Sequence, residues 1–191
     1  MKTRLTIATA LALALAACGS DEDATPPAAD DTAAAPEAVT DAPDPRTPQG
    51  FVDMAASSDM YEIEAGKLAQ DMGTSDAFKE FGAMMEKDHT ASSDKLKAAV
   101  AQGGASLSVP PSMLPKHQQQ LDALRSAGDQ FDALYAQQQV AAHQEALSLL
   151  QQQADSGTVE SLKSFASETV PVVEGHLEHA RELGGEAGDG E

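Results

Sequence analysis

From Phe51 to Leu183, apolar residues recur at spacings of three, four and seven, the period of helices that bury one face. Phe78, Gly82, Met85, His89, Leu96 and Val100 form one stripe. Phe131, Tyr135, Ala142, Ala146 and Leu150 form a second, and Leu162, Phe165, Val172, Val173, Leu177 and Leu183 a third. No stretch alternates apolar and polar residues as a half-buried strand would. The pattern predicts four long helices, about 50–72, 76–102, 128–154 and 158–183. Gly73-Thr74-Ser75 separates the first two, with Ser75 placed to cap the second. Gly103-Gly104 stops the second, Asp155-Ser156-Gly157 divides the third from the fourth, and Gly184-Gly185 ends the fourth. Pro171 lies inside the fourth helix, where it removes one backbone donor and should kink the chain.

The link between the second and third helices, about 104–127, is long. It opens with Val109-Pro110-Pro111, holds a short helix from Pro115 to Arg125, and relaxes at Ser126-Ala127-Gly128. Two helix pairs with short turns and a long link between them predict an all-α fold, a four-helix bundle of the ferritin-like kind. A link of this length can cross the whole bundle, with the short helix along its outside. An up-down-up-down bundle with a loose link is the alternative.

Composition agrees with helices. Hydrophobic residues are 41% of the 191, with no Trp and two Tyr. The formal charge is −19. Lys and Arg are nowhere clustered, which excludes the usual phosphate-binding surface of a nucleic-acid partner. Anionic lipid surfaces would repel such a domain.

The first residues have the order of an export signal. Lys2 and Arg4 precede an apolar stretch, Leu5 to Ala17, too short to span a bilayer. It ends in Leu15-Ala16-Ala17-Cys18, which resembles the lipobox of bacterial lipoproteins. The resemblance implies cleavage before Cys18 and lipid attachment to it, so that the acyl chains link the protein to the membrane. Gly19 after it implies the outer membrane, by analogy with lipoprotein sorting, with the domain facing the periplasm. The expected organisation is a signal (1–17), a lipidated Cys18 with an acidic, disordered Pro/Ala tether (18–49), a helical domain (50–184) and a disordered tail (185–191). Cys18 is the only cysteine, so a site within the domain has only His and carboxylates to draw on.

Three histidines fall on apolar stripes: His89, His143 and His176. His89 and His143 lie near the midpoints of their helices, as does Glu62. His176 lies about six residues past the middle of its helix, roughly 9 Å along the axis. Glu86-Lys87-Asp88-His89 places a carboxylate and an imidazole on one helix face. A di-iron carboxylate site needs two such pairs, and this chain has one. Two readings stay open. His89, His143 and His176 with Glu62 or Glu64 could hold one Zn, Cu or Fe ion. Alternatively, the imidazoles pair with carboxylates in a polar layer between helices. His117 and His179 look peripheral. Met54, Met60, Met72, Met84 and Met85 are spread over several faces and read as packing. No nucleophile elbow or phosphate-binding glycine loop is present.

Several of these residues together carry a family resemblance. Glu62 to Ala69, Phe81, Met84 to His89, Phe131 to Tyr135, His143, Val170-Pro171 and His176-Leu177 resemble the bacterial DUF4142 family over about 50–183. The resemblance implies an exported four-helix domain with a ferritin-like fold. The family's recurring polar elements fall on Asp88, His89, Asp132, Tyr135, His143 and His176. It carries no settled activity. The expectation is a lipid-anchored periplasmic protein that binds or supports another envelope component, or a metal-binding or redox protein built on the mid-helix His/Glu cluster. Oligomeric state is not legible.

Overall fold

The structure, a computed structural model, describes residues 42–104 and 106–188. The signal, Cys18 and the tether as far as Asp41 lie outside the described residues, as do the last three positions. Thr47 and Pro48 set the first helix: the Thr47 hydroxyl accepts the Gly50 amide at 3.0 Å, and proline at the first helical position needs no donor. Helix α1 therefore spans Pro48–Met72 and starts two residues earlier than expected. Helix α2 is Asp76–Gly103, α3 is Pro115–Arg125, α4 is Phe131–Ser156 and α5 is Glu160–Gly188. The described residues are all-helical, with no strand among them. None of these helices is long and apolar enough to cross a membrane.

Three local expectations change. Ser75 occupies the cap position of α2, but its side chain makes no capping bond. The Asp132 carboxylate of α4 binds the residue before Ser75, accepting the Thr74 amide at 3.2 Å and the Thr74 hydroxyl. Helix α4 starts three residues later than expected, because Gly128–Gln130 forms a 3-10 turn in which Gly128 has φ +53°. Helix α5 runs through Gly184-Gly185 to Gly188 rather than ending there. Glycine weakens a helix by about 1 kcal/mol per residue but keeps its N–H, so it need not end one. The helix is also continuous across Pro171.

Helix α1 lies along α2 and α4, and α5 lies along α4 and α2, while α3 rests mainly on α1. Asp132 at the start of α4 binds Thr74 at the start of α2. Near the other end of α2, the Ser161 hydroxyl from the start of α5 donates to the Ala99 carbonyl at 2.7 Å. The link after Gly103 therefore travels back along the helices before α4 begins.

The interior forms two apolar clusters. One contains Phe51, Val52, Leu96, Leu150, Leu162 and Phe165. The other contains Tyr61, Phe78, Phe81, Met85, Phe131 and Tyr135. Along α1, α2, α4 and α5, buried polar residues fall between the two groups: Asp59 and Glu62, His89, Gln139 and His143, and His176.

Helices α1 and α2 approach each other closely at two glycines. A Cβ on Gly66 would lie 2.6 Å from the Gly82 carbonyl oxygen, and one on Gly82 would lie 2.6 Å from that of Gly66. Both obstacles are backbone, so a methyl at either position has to push the helices apart. Gly66→Ala or Gly82→Ala should lower stability by about 1–3 kcal/mol in chemical denaturation. A neutral or stabilising effect at both would contradict this packing.

Candidate metal centre

Each long helix supplies one side of a buried polar layer. From α1 come Asp59 and Glu62, three residues apart and so on one face. From α2 comes His89, from α4 His143 with Gln139 one turn earlier, and from α5 His176. All six side chains are buried. The three imidazole rings are mutual neighbours, with centroids 5.4, 5.6 and 5.8 Å apart. One ring nitrogen from each histidine lies within 4.8 Å of the other two.

The partners behind the rings fix which nitrogen is free. His89 Nδ1 is 2.8 Å from the Asp59 carboxylate, His143 Nδ1 is 2.8 Å from the Gln139 carbonyl, and His176 Nε2 is 3.2 Å from the Asp88 carboxylate. A carbonyl or carboxylate only accepts, so each of these nitrogens carries the hydrogen. What remains is His89 Nε2, His143 Nε2 and His176 Nδ1, all buried and without a hydrogen-bond partner. In the neutral rings each is a bare lone pair. Histidine ligands in metal sites are oriented in this way, with the other nitrogen donating to a carboxylate or carbonyl.

Charge is divided unevenly over the trio. Burial opposes a proton on His89, but the Asp59 hydrogen bond and the charges of Asp59, Glu62 and Asp88 outweigh it and raise its pKa. Burial and then the charge of His89 push His143 down to about 3. Burial and His89 also lower His176, against the opposing pull of Asp88. The layer therefore favours one positive charge and keeps two neutral bases.

A tetrahedral zinc with Zn–N bonds of about 2.0–2.1 Å holds its donors roughly 3.4 Å apart. From a separation of up to 4.8 Å, the donor nitrogens have to close by up to about 1.4 Å to reach that spacing, a movement the imidazole torsions can supply. The donor set fits an ion of borderline softness, since it is all imidazole with no thiolate. A pocket of about 40 Å³ adjoins the site, bounded in part by Asp59, Asp88, His89 and His176.

His89, His143 and His176 come together as the sequence suggested. His176 is level with the others, its ring centroid 5.4 Å from that of His143 and 5.6 Å from that of His89, although it lies past the middle of the helix the sequence predicted. Glu62 is buried but stands behind His143, with Oε1 4.0 Å from His143 Nδ1 and Oε2 accepting the Gln139 amide at 2.7 Å. Glu64 pairs with Lys67 on the surface. Glu86 does not join His89, because Gln70 of α1 donates to its carboxylate at 2.8 Å. Asp88 is the member of that run that reaches the layer. Tyr135 is buried, stacked on Phe131 with ring centroids 5.6 Å apart, and Asp132 binds Thr74, so neither lies with the trio.

His117 is not peripheral: it is buried, and its Nδ1 is 2.6 Å from the Ser57 hydroxyl. The Leu114 amide donates to the same hydroxyl at 2.7 Å, so the pair pins the start of α3 to α1. His179 is exposed, as its position suggested. The sequence reading missed Asp59 and Gln139. Asp59 precedes Glu62 by three residues and Gln139 precedes His143 by four, so the face-sharing rule was the available signal.

The family model described as Domain of unknown function (DUF4142) matches residues 29–183. Neither a curated protein nor a solved structure matches the chain.

Burial raises the Glu62 carboxyl to about 7, against partial relief from His89 and Gln139. Its folded pKa exceeds its unfolded value of 4.5, so the protonated carboxyl contributes stability in full below that value. The contribution is lost as pH rises towards 7. At about 1.4 kcal/mol for each pH unit between the two values, the loss is of the order of 3 kcal/mol. In metal-free protein, Glu62→Gln should therefore lose less stability than the parent between these pH values. Parallel denaturation midpoints for the two proteins across that range would refute the assignment.

Proposed function

The chain belongs to the DUF4142 family, which is defined without a function, and we propose from its geometry that it is a metal-binding protein of the cell envelope. One transition-metal ion sits among His89 Nε2, His143 Nε2 and His176 Nδ1. The observation that carries this reading is the set of three buried nitrogens, each left bare because the opposite nitrogen of its ring is held by an acceptor. Zn²⁺ fits three imidazoles best, and Cu²⁺ is the next candidate. Iron fits less well, because the carboxylates serve the rings from behind.

The architecture proposed for this centre is a four-helix bundle with a ferritin-like crossover. Its support is the adjacency of α1 to α2 and α4 and of α5 to α4 and α2, together with the Asp132–Thr74 contact that starts α4 beside the start of α2. In that arrangement every long helix reaches the central layer. The rest of the proposal concerns location: cleavage before Cys18, lipid on that residue, and a domain held on the periplasmic side of the outer membrane. Its support is the L-A-A-C run and the basic, then apolar, start. Radiolabelled palmitate retained by the parent and lost in Cys18→Ser would support the anchor, and equal labelling would overturn it.

Protein purified without a histidine tag should bind roughly one Zn²⁺ per chain by elemental analysis. At a free ion concentration a hundred times Kd, it should gain about 2.7 kcal/mol of stability. His89→Ala, His143→Ala or His176→Ala should each abolish stoichiometric binding. Asp59→Ala should weaken it about 10–100-fold by releasing the His89 ring. Affinity should fall as pH drops, because the ion displaces the proton that the carboxylates favour on His89. Substoichiometric metal with no thermal shift from Zn²⁺ or Cu²⁺ would sink the proposal and leave a purely structural polar layer.

A further inference from the structure

We infer that the centre keeps one coordination position open to water or a small inorganic anion, entering through the seam between α2 and α5. The inference rests on the metal reading above. It starts from a shortage of donors. The trio supplies three nitrogens, and the nearby carboxylates are already engaged at the backs of the rings: Asp59 on His89, Asp88 on His176, and Glu62 with Gln139 behind His143. A tetrahedral ion held by three protein donors keeps its fourth position for an outside ligand.

A space lies beside two of the three rings. The adjoining pocket of about 40 Å³ is bounded by His89 and His176 together with Asp59 and Asp88. It has room for at least one water-sized ligand. Its deep wall is apolar, formed by Leu149, Leu150, Phe165 and Val173. Its outer edge is made by Asp88, Ser92, Thr169 and Val172, none of them fully buried. Val172 is 44% exposed, the one large apolar side chain at the surface among the described residues. Ser92 and Thr169 are the small side chains that leave the seam passable, and the Ser92 hydroxyl offers a donor to an incoming anion. The Thr169 hydroxyl is anchored, donating to the Phe165 carbonyl at 2.7 Å.

Filling the seam should block the ligand without removing the metal. Protein loaded with Co²⁺ is titrated with azide, following the visible absorption of the cobalt. Azide should give a saturable change. Thr169→Leu should still bind roughly one Co²⁺ per chain but take azide at least about tenfold more weakly, a change of about 1.4 kcal/mol. Ser92→Leu asks the same question from α2 if the first variant does not fold. Ser164→Leu, on the exposed face of α5, should leave azide binding unchanged. Bound Co²⁺ with no azide response overturns the open position and leaves the metal centre standing. Wild-type azide affinity in both seam variants overturns the route. Failure of the parent to bind Co²⁺ overturns the centre, and the open position with it.

Discussion

The fold is arranged around the convergence of three imidazoles at one level of its interior. Each ring is locked by an acceptor, and two of those acceptors come from a different helix: Asp59 of α1 holds His89 of α2, and Asp88 of α2 holds His176 of α5. His143 is held within α4 by the Gln139 carbonyl, while the Gln139 side chain reaches Glu62 of α1. These contacts join all four long helices in a single polar network. Apolar packing alone would tolerate sliding of one helix along another. A buried hydrogen bond between named atoms does not, because slippage leaves charged or polar groups unpaired at low dielectric.

The remaining features keep that level fixed. Gly66 and Gly82 let α1 and α2 approach closely, each about two turns from the residue of its own helix that makes the Asp59–His89 contact. The crossing segment is fastened by Ser57 and His117, and His117 also stacks on Tyr61 with ring centroids 5.6 Å apart. Asp132 ties the start of α4 to the turn between α1 and α2. The apolar clusters on either side lower the dielectric around the layer, which strengthens its electrostatic interactions.

Much of this was legible in the chain. Spacings of three, four and seven located the helices, and the short helix Pro115–Arg125 appears as read from its flanking turns. The three histidines could be grouped because they fell on apolar stripes, His89 and His143 near mid-helix. The choice of carboxylates was not legible. Glu86 has ideal helical spacing to His89, yet Gln70 holds it, while Asp88 lies next to His89 in sequence and serves the histidine of another helix. Spacing ranks neighbours on one helix, and these pairings are decided across helices. His117 was misplaced for a related reason. A residue on a crossing segment has no long stripe to reveal its buried side, and its partner Ser57 lies sixty positions away. The reach of α5 past Gly184-Gly185 was obscured by the ambiguity of glycine, which weakens a helix without ending it.

The energetics of the trio argue that the layer is more than packing. A buried polar atom without a partner is costly, about 1–3 kcal/mol, and three such nitrogens converge here. A layer serving only to fix register would be cheaper with one or two hydrogen-bonded pairs. Here every ring has its outer nitrogen satisfied and its inner nitrogen bare, and the carboxylates behind the rings make the space between them favourable for positive charge. A single proton on His89 answers only part of that field, since His143 and His176 remain neutral bases. In the proposed centre, one cation shared by all three nitrogens would satisfy every orphaned atom at once, and the free energy that the bare nitrogens withhold from folding would become affinity for the ion.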